Sequence, residues 1–198
     1  MKGNIILVQN NEGNFVSEAI KFFTKRIAKK YGVRTWTHSM ISVGELHDIE
    51  YVLSAELSQC IMPLEKFKKD KIKFEVYKIK DTISENNLNS LVRLYCNTYA
   101  GDSYGFLQLP WFCYRWFMEI FNKNVNKQKN WFPSGDICSE MVFRFLMDRL
   151  NYSAKNMKSS ATLSSLSNWT ENTIHPVDLG YVIKNCPFMF EKAYSWNC

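Results

Sequence analysis

The sequence predicts an α+β fold in which a small antiparallel sheet packs against helices. Short apolar runs of strand character fill much of the chain before Asp81, whereas helical periodicity dominates after Ser84. A hydrophobic fraction of 46%, with 14 Phe, 10 Tyr and 6 Trp, supplies a buried core without metal or disulfide staples. At 198 residues, one domain spanning 1–198 is expected.

The run NIILV (4–8), bounded by Asn residues and rich in Ile and Val, suits a buried first strand. Over 17–31, Ala19, Ile20, Phe22, Phe23, Ile27 and Ala28 recur at helical spacing with lysines on the other face, and Gly32 closes this helix. THSMISVG (37–44) and YVLSAEL (51–57) read as antiparallel neighbours joined by a polar connection with Gly44, His47 and Asp48. IKFEVYKI (72–79) alternates apolar and charged residues, the period of a half-exposed strand, so these three consecutive strands are expected to form a meander.

Helices are expected over 84–99 and 111–121, separated by the Gly- and aromatic-rich segment YAGDSYGFLQLP. In PSGDICSEMVFRFLMDRL, Asp136 suits an N-cap, and Cys138, Met141, Val142, Phe145 and Leu146 follow the spacing of a core-facing helix. Residues 153–168, rich in Ser, read as a surface excursion, and HPVDLGYVIK (175–184) as a further short helix opened by Pro.

Several function classes recede on composition. The formal charge of +6 comes from scattered lysine clusters that suit solvated faces, and no nucleic-acid-binding motif accompanies them, so no nucleic-acid partner is expected. No apolar run reaches the roughly 18 to 20 residues of a membrane span, and the beginning of the chain turns polar after Val8, so neither a signal peptide nor stable membrane insertion is expected. The six cysteines, Cys60, Cys96, Cys113, Cys138, Cys186 and Cys198, lie far apart with no CxxC pair and no Cys/His zinc spacing. A reduced, metal-free and cofactor-free cytoplasmic protein is the expectation.

Cys138 is the foremost candidate nucleophile, because backbone N–H groups and the dipole at a helix N-terminus stabilise a thiolate and polarise a carbonyl oxygen. Its place in an apolar stripe also suits a core thiol. His38, in a strand that fixes its backbone, is the candidate base beside the commoner reading of a structural strand histidine, and Glu56 at the end of the next strand is the candidate orienter of its ring or, equally simply, a solvent-exposed strand end. His47, in a turn, and His175, before a Pro, read as surface residues.

Taken together, THSMI (37–41), AEL (55–57) and CSEMV (138–142) resemble, in motif and order, the permuted papain-like proteins of the NlpC kind, including YiiX-like hydrolases and the vertebrate lecithin retinol acyltransferase relatives. That family places a histidine strand and a strand ending near E-A before the cysteine helix, the reverse of ordinary papain-like enzymes. GDSYGF (101–106) resembles its G-x-x-Y-D-F element, with Gly105 in place of Asp, and HPVDL (175–179) resembles its S-P-x-D-L element. The resemblance implies a permuted papain-like fold and a thiol acyl-transfer mechanism, with Cys138 as nucleophile, His38 as base, Glu56 as orienter and Tyr104 lining the substrate cleft. The implied substrates are peptide, peptidoglycan or lipid-derived acyl groups. An amide-cleaving hydrolase is the leading expectation. A lipid-directed acyltransferase or esterase, using aromatics of WFCYRWFMEIF (111–121), and a non-catalytic binding module stay open beside it.

Overall fold

A computed structural model describes residues 2–11, 13, 15–55, 59–69, 71–102, 109–121, 123, 137–153 and 174–197. Its centre is a six-stranded antiparallel sheet in the order β4-β3-β2-β1-β5-β6. The strands are β1 (Ile5–Asn10), β2 (His38–Leu46), β3 (Ile49–Ala55), β4 (Gln59–Pro63), β5 (Ile72–Ile79) and β6 (Phe190–Trp196). The helices are α1 (Phe15–Tyr31), α2 (Glu85–Tyr99), α3 (Leu109–Ile120), α4 (Cys138–Tyr152) and α5 (Pro176–Asn185), and a 3-10 turn covers Leu64–Phe67.

β1 has no hydrophobic alternation because both its faces are buried, as in any strand covered on two sides. Ile5 and Leu7 join Ile41 and Leu53 beneath helical side chains that include Ile27 of α1, Leu91 of α2, Met141 and Phe145 of α4 and Val177 of α5. Ile6 and Val8 face the other way, with Met40, Val52, Phe74 and Val76, under Leu64 and Phe67 of the 3-10 turn. The sheet therefore has a helix face and a 3-10 face, and alternation assigns each strand residue to one of them.

β2 and β3 form the expected hairpin, turned by His47 and Asp48 at φ 51° and 60°. Positive φ at both turn positions matches the right-handed twist of the flanking strands. The expected three-strand meander is corrected: β4 pairs with β3, while the 72–79 strand crosses the sheet to pair with β1 and β6. Hydrophobic patterning sets which face a strand buries, not which neighbour it takes.

Helix ends follow local chemistry. Gly32, at φ +62°, ends α1, and Ser84 accepts the Asn87 N–H at 3.3 Å to open α2. At α4 the last extended residue is Ile137, whose N–H donates to Glu140 Oε2 at 3.1 Å. The acidic residue of the first turn thus satisfies the Ile137 N–H. Asp136 lies outside the described residues, as does the Ser-rich segment from 154 to 168. Among the described residues no helix is long and apolar enough to cross a membrane.

Candidate functional site

Cys138 is the first residue of α4. Each conspicuous neighbour in CSEMV has a definite contact: Ser139 Oγ donates to the Ile174 carbonyl at 2.7 Å, Glu140 caps the helix, and Met141 and Val142 enter the core. The bond from Ser139 fastens the start of α4 to the residue before His175. His175 in turn precedes α5, and its N–H donates to Asp178 Oδ2 at 2.8 Å.

Asp178 also receives Arg115 of α3, Nη2 to Oδ1 at 2.8 Å, and both side chains are fully buried. His175 is not the surface residue expected from sequence. It is 1% exposed, and Arg115 Nη1 lies 3.1 Å from its Nδ1. Since guanidinium only donates, Nδ1 accepts and the ring is neutral with its proton on Nε2. Burial, with the Arg115 charge added, pushes the His175 pKa well below its ordinary value. The HPVDL segment and α3 are thus locked to the N-terminal end of α4 by one buried polar cluster.

His38 opens β2, so it stands at the same end of the sheet as Ala55, the last residue of antiparallel β3. Its Nε2 lies 2.8 Å from Ser54 Oγ, and its ring stacks on Phe67 with centroids 6.3 Å apart. Burial lowers its pKa to about 4, which leaves the imidazole neutral at pH 7. Val8 faces His38 and Met40 faces Ser54 across the ladders, which assigns both His38 and Ser54 to the 3-10 face.

Cys138 belongs instead to a cluster with Ile20, Ala55, Trp111 and Ile137. Ala55 follows Ser54 and so turns its methyl to the helix face. His38 and Cys138 therefore approach the end of β3 from its two sides, one through Ser54 and the other in the company of Ala55. Glu56 and Tyr104 lie outside the described residues.

On the helix face beside Cys138, sequence reasoning missed two polar residues. The ladders pair Leu7 with Ser39 and Ala55 with Gln59, and the Met40 to Ser54 pairing continues one step to place Ser39 beside Ala55. One rung thus reads Leu7, Ser39, Ala55, Gln59. Ser39 is fully buried and Gln59 is 1% exposed. Gln59 is held through its backbone: its N–H donates to the Asp102 carbonyl at 2.9 Å and its carbonyl accepts from Gly101 at 2.7 Å. The opening residues of the GDSYGF segment are thereby fixed next to this rung. Only the pairing register reveals the arrangement, because Ser39 and Gln59 belong to no motif.

Of the aromatic helix α3, Trp111 is buried in the Cys138 cluster, whereas Phe117 and, just past the helix end, Phe121 are exposed and Trp116 meets Phe22 of α1 at 5.7 Å. Among the described residues, Cys60, Cys96, Cys113, Cys138 and Cys186 form no disulfides with one another, and no group of three or more His, Cys, Asp and Glu is placed to hold a metal ion. Comparison with protein-family models and with curated proteins yields no match to this chain.

Proposed function

We propose that the chain is a thiol hydrolase of the permuted papain-like kind, cleaving an amide bond in a peptide or cell-wall peptide. The observation that supports this reading best is the placement of Cys138 as the first residue of α4, at the end of the sheet where His38 opens β2. Helix amides and dipole favour the thiolate there, while the buried His38 imidazole, with its pKa held near 4, is a weak base until it leaves its place beside Ser54. In the proposed reaction the Cys138 sulfur bonds to the acyl carbon while its proton passes to His38. The leaving amine departs with that proton. Water then splits the thioester to a carboxylic acid and restores the thiol. The Cys138 N–H serves the oxyanion, and Glu56 and Tyr104 keep the orienting and substrate-binding roles that the resemblance implies. For the transfer, the His38 ring must leave Ser54 and reach past the end of β3.

A non-catalytic binding module is the second reading. It is favoured by the 1% exposure of Cys138 and by the bond of His38 to Ser54 on the other face. Alkylation of each cysteine by iodoacetamide, followed by mass spectrometry from pH 5 to 9 on wild type and His38→Ala, separates the two readings. Burial raises the pKa of Cys96 and Cys113, which makes them slow internal references. Hydrolase function predicts that Cys138 outpaces both below pH 7 and slows in His38→Ala. A Cys138 that reacts only after unfolding would instead establish a core thiol.

A further inference from the structure

Among the described residues, three buried polar atoms on the Ala55 rung or in the Ala55 and Cys138 cluster have no hydrogen-bond partner: Ser39 Oγ, Gln59 Oε1 and Trp111 Nε1. Leaving one such group unsatisfied costs about 1 to 3 kcal/mol, so three together are a substantial expense for one small region. Their placement is not scattered. Ser39 and Gln59 flank Ala55 on one rung of the helix face, and Trp111 shares the apolar cluster of Ala55 and Cys138. Cβ atoms opposed across a rung stand about 5 Å apart, so the two polar side chains rise on either side of the Ala55 methyl.

Their chemistry is complementary to one group. Trp111 Nε1–H can only donate, Gln59 Oε1 can only accept, and the Ser39 hydroxyl does either. A secondary amide offers a carbonyl oxygen to the donors and an N–H to the acceptor, whereas an ester offers the oxygen alone. We infer that Ser39, Gln59 and Trp111 form a binding site for a secondary amide group of the substrate, seated over Ala55 beside Cys138. Gln59 Oε1 takes the amide N–H, and Trp111 Nε1–H with the Ser39 hydroxyl holds the carbonyl oxygen. The inference names the substrate class of the proposed thiol hydrolase and rests on that reading for its catalytic meaning. A site built to bond an N–H discriminates strongly against an analogue that lacks it, because its own acceptor is then left buried and unpaired.

The test uses the full chain labelled with 15N and follows the indole N–H resonance of Trp111, assigned with Trp111→Phe. N-methylacetamide and methyl acetate are titrated separately into wild type, Gln59→Met and Ser39→Ala. The expected result is a saturable shift with the amide at least about tenfold tighter than with the ester, as one hydrogen bond to a buried acceptor implies. Gln59→Met should abolish that preference, and Ser39→Ala should weaken the amide. Ser39→Ala carries the test if the other indole resonances show that Gln59→Met is unfolded. Equal responses to amide and ester, no saturable shift, or a preference that survives in the folded variants would overturn the inference. The readout does not require a reactive thiol and can be repeated in Cys138→Ala. Amide binding with an inert Cys138 would sink the hydrolase and leave the site, while a reactive Cys138 without amide preference would do the reverse.

Discussion

His38 has a measurable signature whatever its chemistry. In the folded chain its pKa is about 4, against 6.5 without burial, so between those values the unfolded chain binds a proton that the folded chain refuses. Stability is therefore intact above pH 6.5 and is lost as the pH falls toward 4, by on the order of 2 to 3 kcal/mol from this residue. His175 is shifted in the same direction and adds to the loss. Urea unfolding at successive pH values should show the decline, and His38→Gln should flatten part of it. An unchanged pH profile in His38→Gln would mean that the ring is not buried in solution. The position of Cys138 in the first helical turn was legible in sequence, since its apolar spacing with Met141, Val142 and Phe145 is local. The burial of His175 was not, because its partner Arg115 is 60 residues away and a His before Pro looks like a loop. Ser39 and Gln59 stayed hidden for a related reason: a strand residue acquires neighbours only through its register.

Among the elements, α3, α4 and α5 depend on each other through the buried Arg115 and Asp178 pair. Asp178 has two duties, capping His175 N–H and neutralising Arg115, so removing its charge leaves a guanidinium buried without its counterion. Asp178→Asn keeps the shape and the cap acceptor, yet should cost about 3 to 5 kcal/mol. Chemical denaturation checks the value, and a loss below about 1 kcal/mol would show that the pair is solvated. Helix limits were readable because capping and periodicity lie within a few residues of each other. β4 and β6 escaped for different reasons. β4 is short and ends in Pro63, a residue suited to strand termini and edges. β6 does not alternate cleanly, because Glu191, Lys192 and Ala193 are all exposed and its pairing with β5 carries a register irregularity, so it resembles a polar tail until β5 is seen beside it.

Across the whole molecule, the topology brings distant sequence segments to one end of the sheet. α1 connects β1 to β2, β5 returns to the free side of β1, and α4 crosses over β2 so that its first residue meets the end of β3. Arg149, near the other end of α4, donates to the Gly3 carbonyl at 2.6 Å and pairs with Asp81, tying that helix to the start of β1 and the end of its neighbour β5. The α+β class and the order of most elements followed from patterning alone. The crossover of β5 did not, since pairing partners depend on the packed whole. With Cys138 as the first residue of α4, the proposed function makes a covalent acyl-enzyme the central expectation. Its most direct test is p-nitrophenyl acetate added to the native chain, with quenching in acid and peptide mapping by mass spectrometry. The account predicts a single acetyl group on Cys138, formed with a burst of nitrophenol and absent from Cys138→Ala. Acetylation confined to surface lysines or to other cysteines, with Cys138 unmodified in the folded protein, would contradict it.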